Sequence, residues 1–183
     1  MRTSNIASSV YLFILAVVFA AACTVSCRRL FSTAPSRTTL YYSNSFESDD
    51  DAKGWTGVAT DMFIADPAPN SGDRSLQIGG GCIQPAAWLV FPKTTEEIRF
   101  KFSCWGKVDQ PNQSGAVVLG VEGDTDDSNS LEIRIQERNW TYYASNASLV
   151  CPRGKQLRLE MRIGGIVFAS MHVDGLIVER VND

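Results

Sequence analysis

Positive charge, histidine and paired cysteines are scarce in this chain of 183 residues, which carries 17 Lys and Arg against 20 Asp and Glu, one His and five Cys. The shortage of positive charge is deeper than the net of −3 suggests. The first 37 residues hold four arginines and no acid, so residues 38 onward carry 13 basic against 20 acidic side chains, a net of −7. Nucleic-acid binding rests on clustered Lys and Arg, so nucleic acid is not expected as a partner. With only His172 available, a Ser/His/Asp triad would have to be built around one strand residue. No Cys-x-x-Cys pair or Cys/His cluster offers a zinc site. Gly79-Gly80-Gly81 lacks the Lys and helix that would make it a phosphate loop.

Long apolar runs are also missing. Val10 to Ala22 is uninterrupted but only 13 residues long. A membrane span needs ~20 such residues and a secretory signal core roughly 7 to 15, so residues 1–27 read as a signal segment. Small residues precede both Cys23 and Cys27. That pattern resembles the bacterial lipoprotein signal, in which the Cys is acylated, although neither site has the usual branched apolar residue three places earlier. Plain secretion after Ala22 and an uncleaved signal anchor are the alternatives. All three export the chain to the cell envelope, the outer surface or the medium, and the only membrane contact expected is a lipid anchor on Cys23 or Cys27. Residues 28–39, rich in Ser and Thr and without periodicity, read as a tether. A single domain over 40–183 is long enough to bury one core.

That domain reads as strands throughout. Ile98, Phe100, Phe102 and Cys104 alternate with Arg99, Lys101, Ser103 and Trp105. Leu131, Ile133 and Ile135 alternate with Glu132, Arg134 and Gln136, and Leu157, Leu159, Met161 and Ile163 with Arg158, Glu160 and Arg162. Period two marks a half-buried strand. Turn signals such as Asn70-Ser71-Gly72 and Pro152-Arg153-Gly154 fall between the runs, and no window repeats at helical spacing. About ten such strands predict an all-β, two-sheet antiparallel β-sandwich.

Several phrases carry a family likeness: Phe46-Glu47, Gly54-Trp55, Ser71-Gly72-Asp73-Arg74-Ser75-Leu76, Phe100 to Lys107 ending in Cys104-Trp105-Gly106-Lys107, and His172-Val173-Asp174-Gly175. Over residues 40 to 181 the chain resembles carbohydrate-binding modules with the galactose-binding-like β-jelly-roll fold. The resemblance implies a structural calcium held by Glu47, by the turn containing Asp73 and by Asp174. It also implies a polysaccharide or other glycan as partner. An aromatic platform with planar polar side chains suits sugar, whose C–H face stacks on a ring while its hydroxyls meet Arg, Gln or carboxylate groups. The outward rows offer Trp105, Arg99, Lys101, Arg134 and His172, and the strand ends offer Trp140 and Tyr142. His172 is expected on a solvent-facing row.

Two other function classes stand beside a non-catalytic glycan-binding or surface accessory domain. One is a protein-interaction or adhesive envelope domain. The other is a concanavalin-like glycan hydrolase or lyase, suggested by Glu122, Asp124 and Asp126 at spacing two. Asp127-Ser128-Asn129 make that segment read as a hairpin tip, which weakens the catalytic option.

Overall fold

The computed structural model describes residues 37–80, 85–123, 129–164 and 169–182. Cys23, Cys27, Cys82, Asp124 and Asp126 therefore lie outside the described residues, as does the signal segment.

Among the described residues twelve strands form two antiparallel sheets: β1 (Arg37–Asn44), β2 (Trp55–Thr56), β3 (Phe63–Ile64), β4 (Ser75–Gly79), β5 (Ala87–Val90), β6 (Ile98–Val108), β7 (Ser114–Val121), β8 (Ser130–Ile135), β9 (Thr141–Ala144), β10 (Leu149–Cys151), β11 (Leu157–Gly164) and β12 (Ser170–Asn182). The seven-stranded sheet runs β10-β6-β12-β4-β3, with β1 also on β12 and β9 also on β6, and the five-stranded sheet runs β2-β5-β11-β7-β8. Two 3-10 turns, Asp49–Ala52 and Thr60–Met62, interrupt the strands. The architecture is the expected β-sandwich. β1 begins at Arg37, inside the stretch read as tether, because Arg37 to Thr39 pair with Arg180 to Asn182 of the last strand.

The core lies between the sheets. From β6 it takes Phe100 and Phe102, from β7 Val117 and Leu119, and from β11 Leu157, Leu159, Met161 and Ile163, each at most 2% exposed. Fully burying side chains of this size is worth roughly 1.5–3 kcal/mol each, so the inward rows hold the alternation and thereby aim every outward row. Cys104 and Cys151 are buried free thiols. Burial pushes the Cys104 thiol up to about 12, so it stays protonated and packs as a small apolar residue.

One irregularity resets the alternation. In β12 the pairing with β6 slips between Asp174 and Ile177. Gly175 sits there at φ +51°, in the left-handed region that a glycine adopts without penalty. Before this bulge Met171 and Val173 face inward; after it Leu176 and Val178 do, all 0% exposed. The bulge puts Asp174 opposite Trp105 on the outer side of the sheet.

The two sheets approach closely where Gly106 of β6 faces Ile135 of β8, since a Cβ on Gly106 would overlap two atoms of the Ile135 side chain and crowd a third. Gly106→Ala is expected to cost about 1–3 kcal/mol of stability by overpacking. Adding Ile135→Val should recover part of it, as read by urea denaturation of the single and double variants.

Candidate functional site

The two outer faces of the sandwich differ in chemistry. On the seven-stranded sheet, the outward residues of β6 are Arg99, Lys101, Ser103, Trp105 and Lys107, paired across β12 with Val181, Glu179, Ile177, Asp174 and His172 in that order. Trp105 also stands opposite Tyr142 of β9. Their rings meet edge to face at 5.5 Å, and Tyr142 is 52% exposed. Trp140, just before β9, packs edge-on against the His172 imidazole at 6.2 Å. Six of the seven expected ligand residues thus share this face; Arg134 is on the other sheet, in β8.

His172 is not on a solvent row: it is 3% exposed. It does face outward, but Trp140 and the loop carrying Asp66 cover it, which neighbouring-residue alternation alone does not reveal. Its Nε2 lies 2.9 Å from Asp109 Oδ1 and its Nδ1 3.6 Å from Asp66 Oδ2. Lys107 Nζ donates to Asp66 at 2.5 Å and sits 5.3 Å from the Trp140 ring centre. Burial alone would raise both carboxyls. For Asp66 the hydrogen bond and charge of Lys107, with His172, outweigh it; for Asp109 the His172 imidazole, Ser170 and Lys107 do, and both pKa values fall below the ordinary carboxylate value. The group is an internal brace, with its charges spent on one another.

The expected metal residues converge on one corner. Glu47 Oε2 accepts from Asp73 N at 2.9 Å and its Oε1 from Arg74 N at 3.1 Å. Gly72 permits this approach, because any Cβ there would overlap the Glu47 carboxylate. Asp174, 0% exposed, accepts from Ser71 Oγ and Gly175 N at 2.6 Å on Oδ1 and from Ala68 N at 2.9 Å on Oδ2. Desolvation by burial chiefly raises the Asp174 pKa, with Glu47's charge adding to it. Hard oxygens of this kind suit calcium. Asp73, however, contributes its N–H, and among the described residues no group of three His, Cys, Asp or Glu forms a metal cage.

The five-stranded sheet holds a trough. Beyond Ser114 at its start, the outward residues of β7 are Ala116, Val118 and Gly120, all small. On one side β11 raises Arg162, Glu160 and Arg158, each paired with the floor residue in that order, and on the other β8 raises Arg134, Glu132 and Ser130. Long side chains on both flanks shade the floor, so Val118 is only 3% exposed although it is not part of the core. A cleft of about 80 Å³ opens at the Gly120 end against Glu122, Asn129 and Ser130. The walls are ion-paired. Glu160 lies 2.7 Å from Arg158 Nε on one oxygen and 2.7 Å from Arg162 Nη2 on the other, Glu122 lies 3.4 Å from Arg158, and Arg134 pairs with Glu132. Trp88 of β5, opposite Glu160, carries the Arg158 guanidinium 5.2 Å from its ring centre. Of this set sequence reasoning selected Arg134 as a ligand contact and Glu122 as a candidate catalytic acid. The signal for the rest is a strand whose outward positions are all small, flanked by strands whose outward positions are long and charged, and it becomes visible once the strand order is known.

No family model matches the chain, and no curated protein does. Solved structures do. The CBM22-1 xylan-binding domain of Paenibacillus barcinonensis Xyn10C superposes with a TM-score of 0.56 at 17% identity, over 82% of this chain and 99% of that one. The C-terminal family 22 carbohydrate-binding module of Clostridium thermocellum Xyn10B gives 0.53 at 16% identity, over 78% and 93%. The CBM22-1-CBM22-2 tandem of Paenibacillus barcinonensis Xyn10C gives 0.57 at 19% identity, over 83% of this chain and 48% of the tandem. The fold is the β-sandwich of these modules.

Asp66 and Asp109 give the brace a defined pH response. Each has a folded pKa below the ordinary value of 3.8, so its stabilisation is present above that value and is lost as pH falls through the folded value. The stability gap between wild type and Asp66→Asn, followed by thermal melts from pH 7 to pH 2, is expected to be widest at neutral pH and to close in acid. A gap that widens in acid would contradict the assignment.

Proposed function

We propose that this domain is a non-catalytic glycan-binding module whose ligand lies along the trough over β7. The supporting observation is the trough itself: a floor of Ala116, Val118 and Gly120 between walls of Arg and Glu with Trp88 beyond. A flat chain fits against small side chains, and guanidinium and carboxylate groups in fixed pairs present donors and acceptors to hydroxyls at no further ordering cost. Binding without catalysis suits the two acids of this cleft, since Glu122 and Glu160 are both held against the Arg158 guanidinium, at 3.4 Å and 2.7 Å. Likeness of fold to xylan-binding domains makes xylan the first polysaccharide to try.

Exposed Tyr142, edge-on to half-buried Trp105, with Leu40 65% exposed, favours a second reading in which the opposite face docks a protein. Under the main reading Trp105→Ala leaves polysaccharide affinity within about twofold of wild type; a larger loss would move the sugar to the seven-stranded face, with Trp105, Tyr142, Arg99 and Lys101 as its contacts.

A calcium ion held by Glu47 and Asp174 is a separate element of the proposal. Among the described residues no Lys, Arg or His lies within salt-bridge reach of either carboxylate, so a buried charge is left without a counter-ion. When bound, calcium would supply that charge and pin β12 to the 68–74 turn. EDTA is expected to lower the melting temperature of calcium-loaded protein, and an unchanged melt removes the metal. Export and acylation at Cys23 or Cys27 likewise stand as proposals, to be read by detergent partitioning of Cys23→Ser and Cys27→Ser.

The trough reading is tested by filling it. A Cβ at Gly120 would meet only Ser130 Cβ at 3.6 Å and Asn129 O at 3.9 Å, which are ordinary contacts. Gly120→Tyr is expected to keep the wild-type melting curve while weakening retention on a polysaccharide panel by roughly tenfold or more. Wild type that is retained by no polysaccharide would discard the glycan function.

A further inference from the structure

The trough is electrically lopsided, although its six charged residues sum to zero. At one end Arg162 of β11 and Arg134 of β8 both pair in register with Ala116, one on each side of the floor. Two strand spacings separate them, ~10 Å between backbones, a gap that two arginine side chains can close from both sides. Arg162 turns Nε and Nη2 to Glu160, at 2.8 Å and 2.7 Å, and Arg134 turns Nε to Glu132. Each guanidinium has five donors, so N–H groups remain on both for a third partner. Glu160 is moreover shared with Arg158, so it neutralises Arg162 only in part. At the other end Arg158 and Glu122 face each other at 3.4 Å beside Gly120, Asn129 and Ser130, so one charge there offsets the other. Nothing larger than the Ala116 methyl stands between the two arginines.

Resting on the trough reading, we propose that the Ala116 end is a carboxylate subsite and that the preferred ligand is a polysaccharide carrying occasional uronate groups. Paired guanidinium groups match a planar carboxylate with bidentate geometry, and Ala116 leaves room for the substituent to drop between them. The rest of the domain limits how much charge the ligand can carry. Residues 38 onward sum to −7, and at physiological salt that field is screened only beyond ~8 Å. A chain with a carboxylate on every sugar meets this repulsion along its whole length, whereas a sparsely substituted chain presents one carboxylate to the two arginines and neutral sugar elsewhere.

The experiment compares three probes by affinity electrophoresis: a glucuronoxylan, the same polymer with its carboxyl groups reduced to alcohols, and polygalacturonate. Wild type is expected to bind glucuronoxylan roughly tenfold more tightly than the reduced polymer, and to bind polygalacturonate more weakly than glucuronoxylan. In the double variant Arg134→Gln, Arg162→Gln the ratio of affinities for the first two probes falls towards one, whatever happens to either affinity alone. Equal affinities in wild type, or a ratio that survives the double substitution, overturns the carboxylate subsite and leaves the trough reading standing. Retention on none of the three probes overturns both.

Discussion

The surface chemistry of this protein depends on one piece of strand pairing, the placement of β7 between β8 and β11. Val117, Leu119 and Val121 of β7 face the core, as do Ile133 and Ile135 of β8 and Leu157, Leu159, Met161 and Ile163 of β11. A slip of one residue in any of these strands would turn its apolar row to water, so the register is held by the burial energy of the whole core. With the inward rows fixed, the outward residues have no freedom: Ala116, Val118 and Gly120 must form a low line, and Arg158, Glu160, Arg162, Glu132 and Arg134 must stand on both sides of it. The ion pairs along the walls run from exposed, at Arg134 and Glu132, to largely buried, at Glu160 between Arg158 and Arg162, and the exposed one contributes little to folding. Their effect is to hold long side chains upright in defined positions.

The opposite face follows the same logic to a different end. Here β12 is central, and its Gly175 bulge brings Asp174 under Trp105 while sending Leu176 and Val178 into the core. Asp174 then ties the 68–71 loop to the sheet, and the Asp66–Lys107–His172–Asp109 group ties down its neighbour. Polar groups that alternation assigns to solvent are in this way consumed internally. Exposed Tyr142, backed by half-buried Trp105, is left as an apolar feature of that face, together with Leu40.

Much of the fold was legible in the residues alone. The alternation in Glu97 to Trp105, in Leu131 to Gln136 and in Leu157 to Ile163 predicts β6, β8 and β11 with the correct faces, because period two is a local property. Strand order is not local. Nothing within Ser114–Val121 says that its neighbours in space are Ser130–Ile135 and Leu157–Gly164, so the trough could not be read and Arg134 was grouped with residues of the other sheet. The burial of His172 escaped for a related reason: the loop that covers it is brought there by Asp174, across 103 residues from Ser71. The start of β1 at Arg37 was likewise invisible, since only its pairing with the last strand makes that polar stretch a strand.

The central claim is that a glycan lies over β7 on the five-stranded sheet. Titrating the isotopically labelled protein with xylo-oligosaccharide or the best-retained polysaccharide's oligomers, and following backbone amide shifts, tests it most directly. The account predicts perturbation concentrated at Ala116 to Gly120 and at the flanking Glu132, Arg134 and Arg158 to Arg162. Perturbation concentrated at Trp105, Tyr142 and Lys101 instead, or none at saturating ligand, would contradict it.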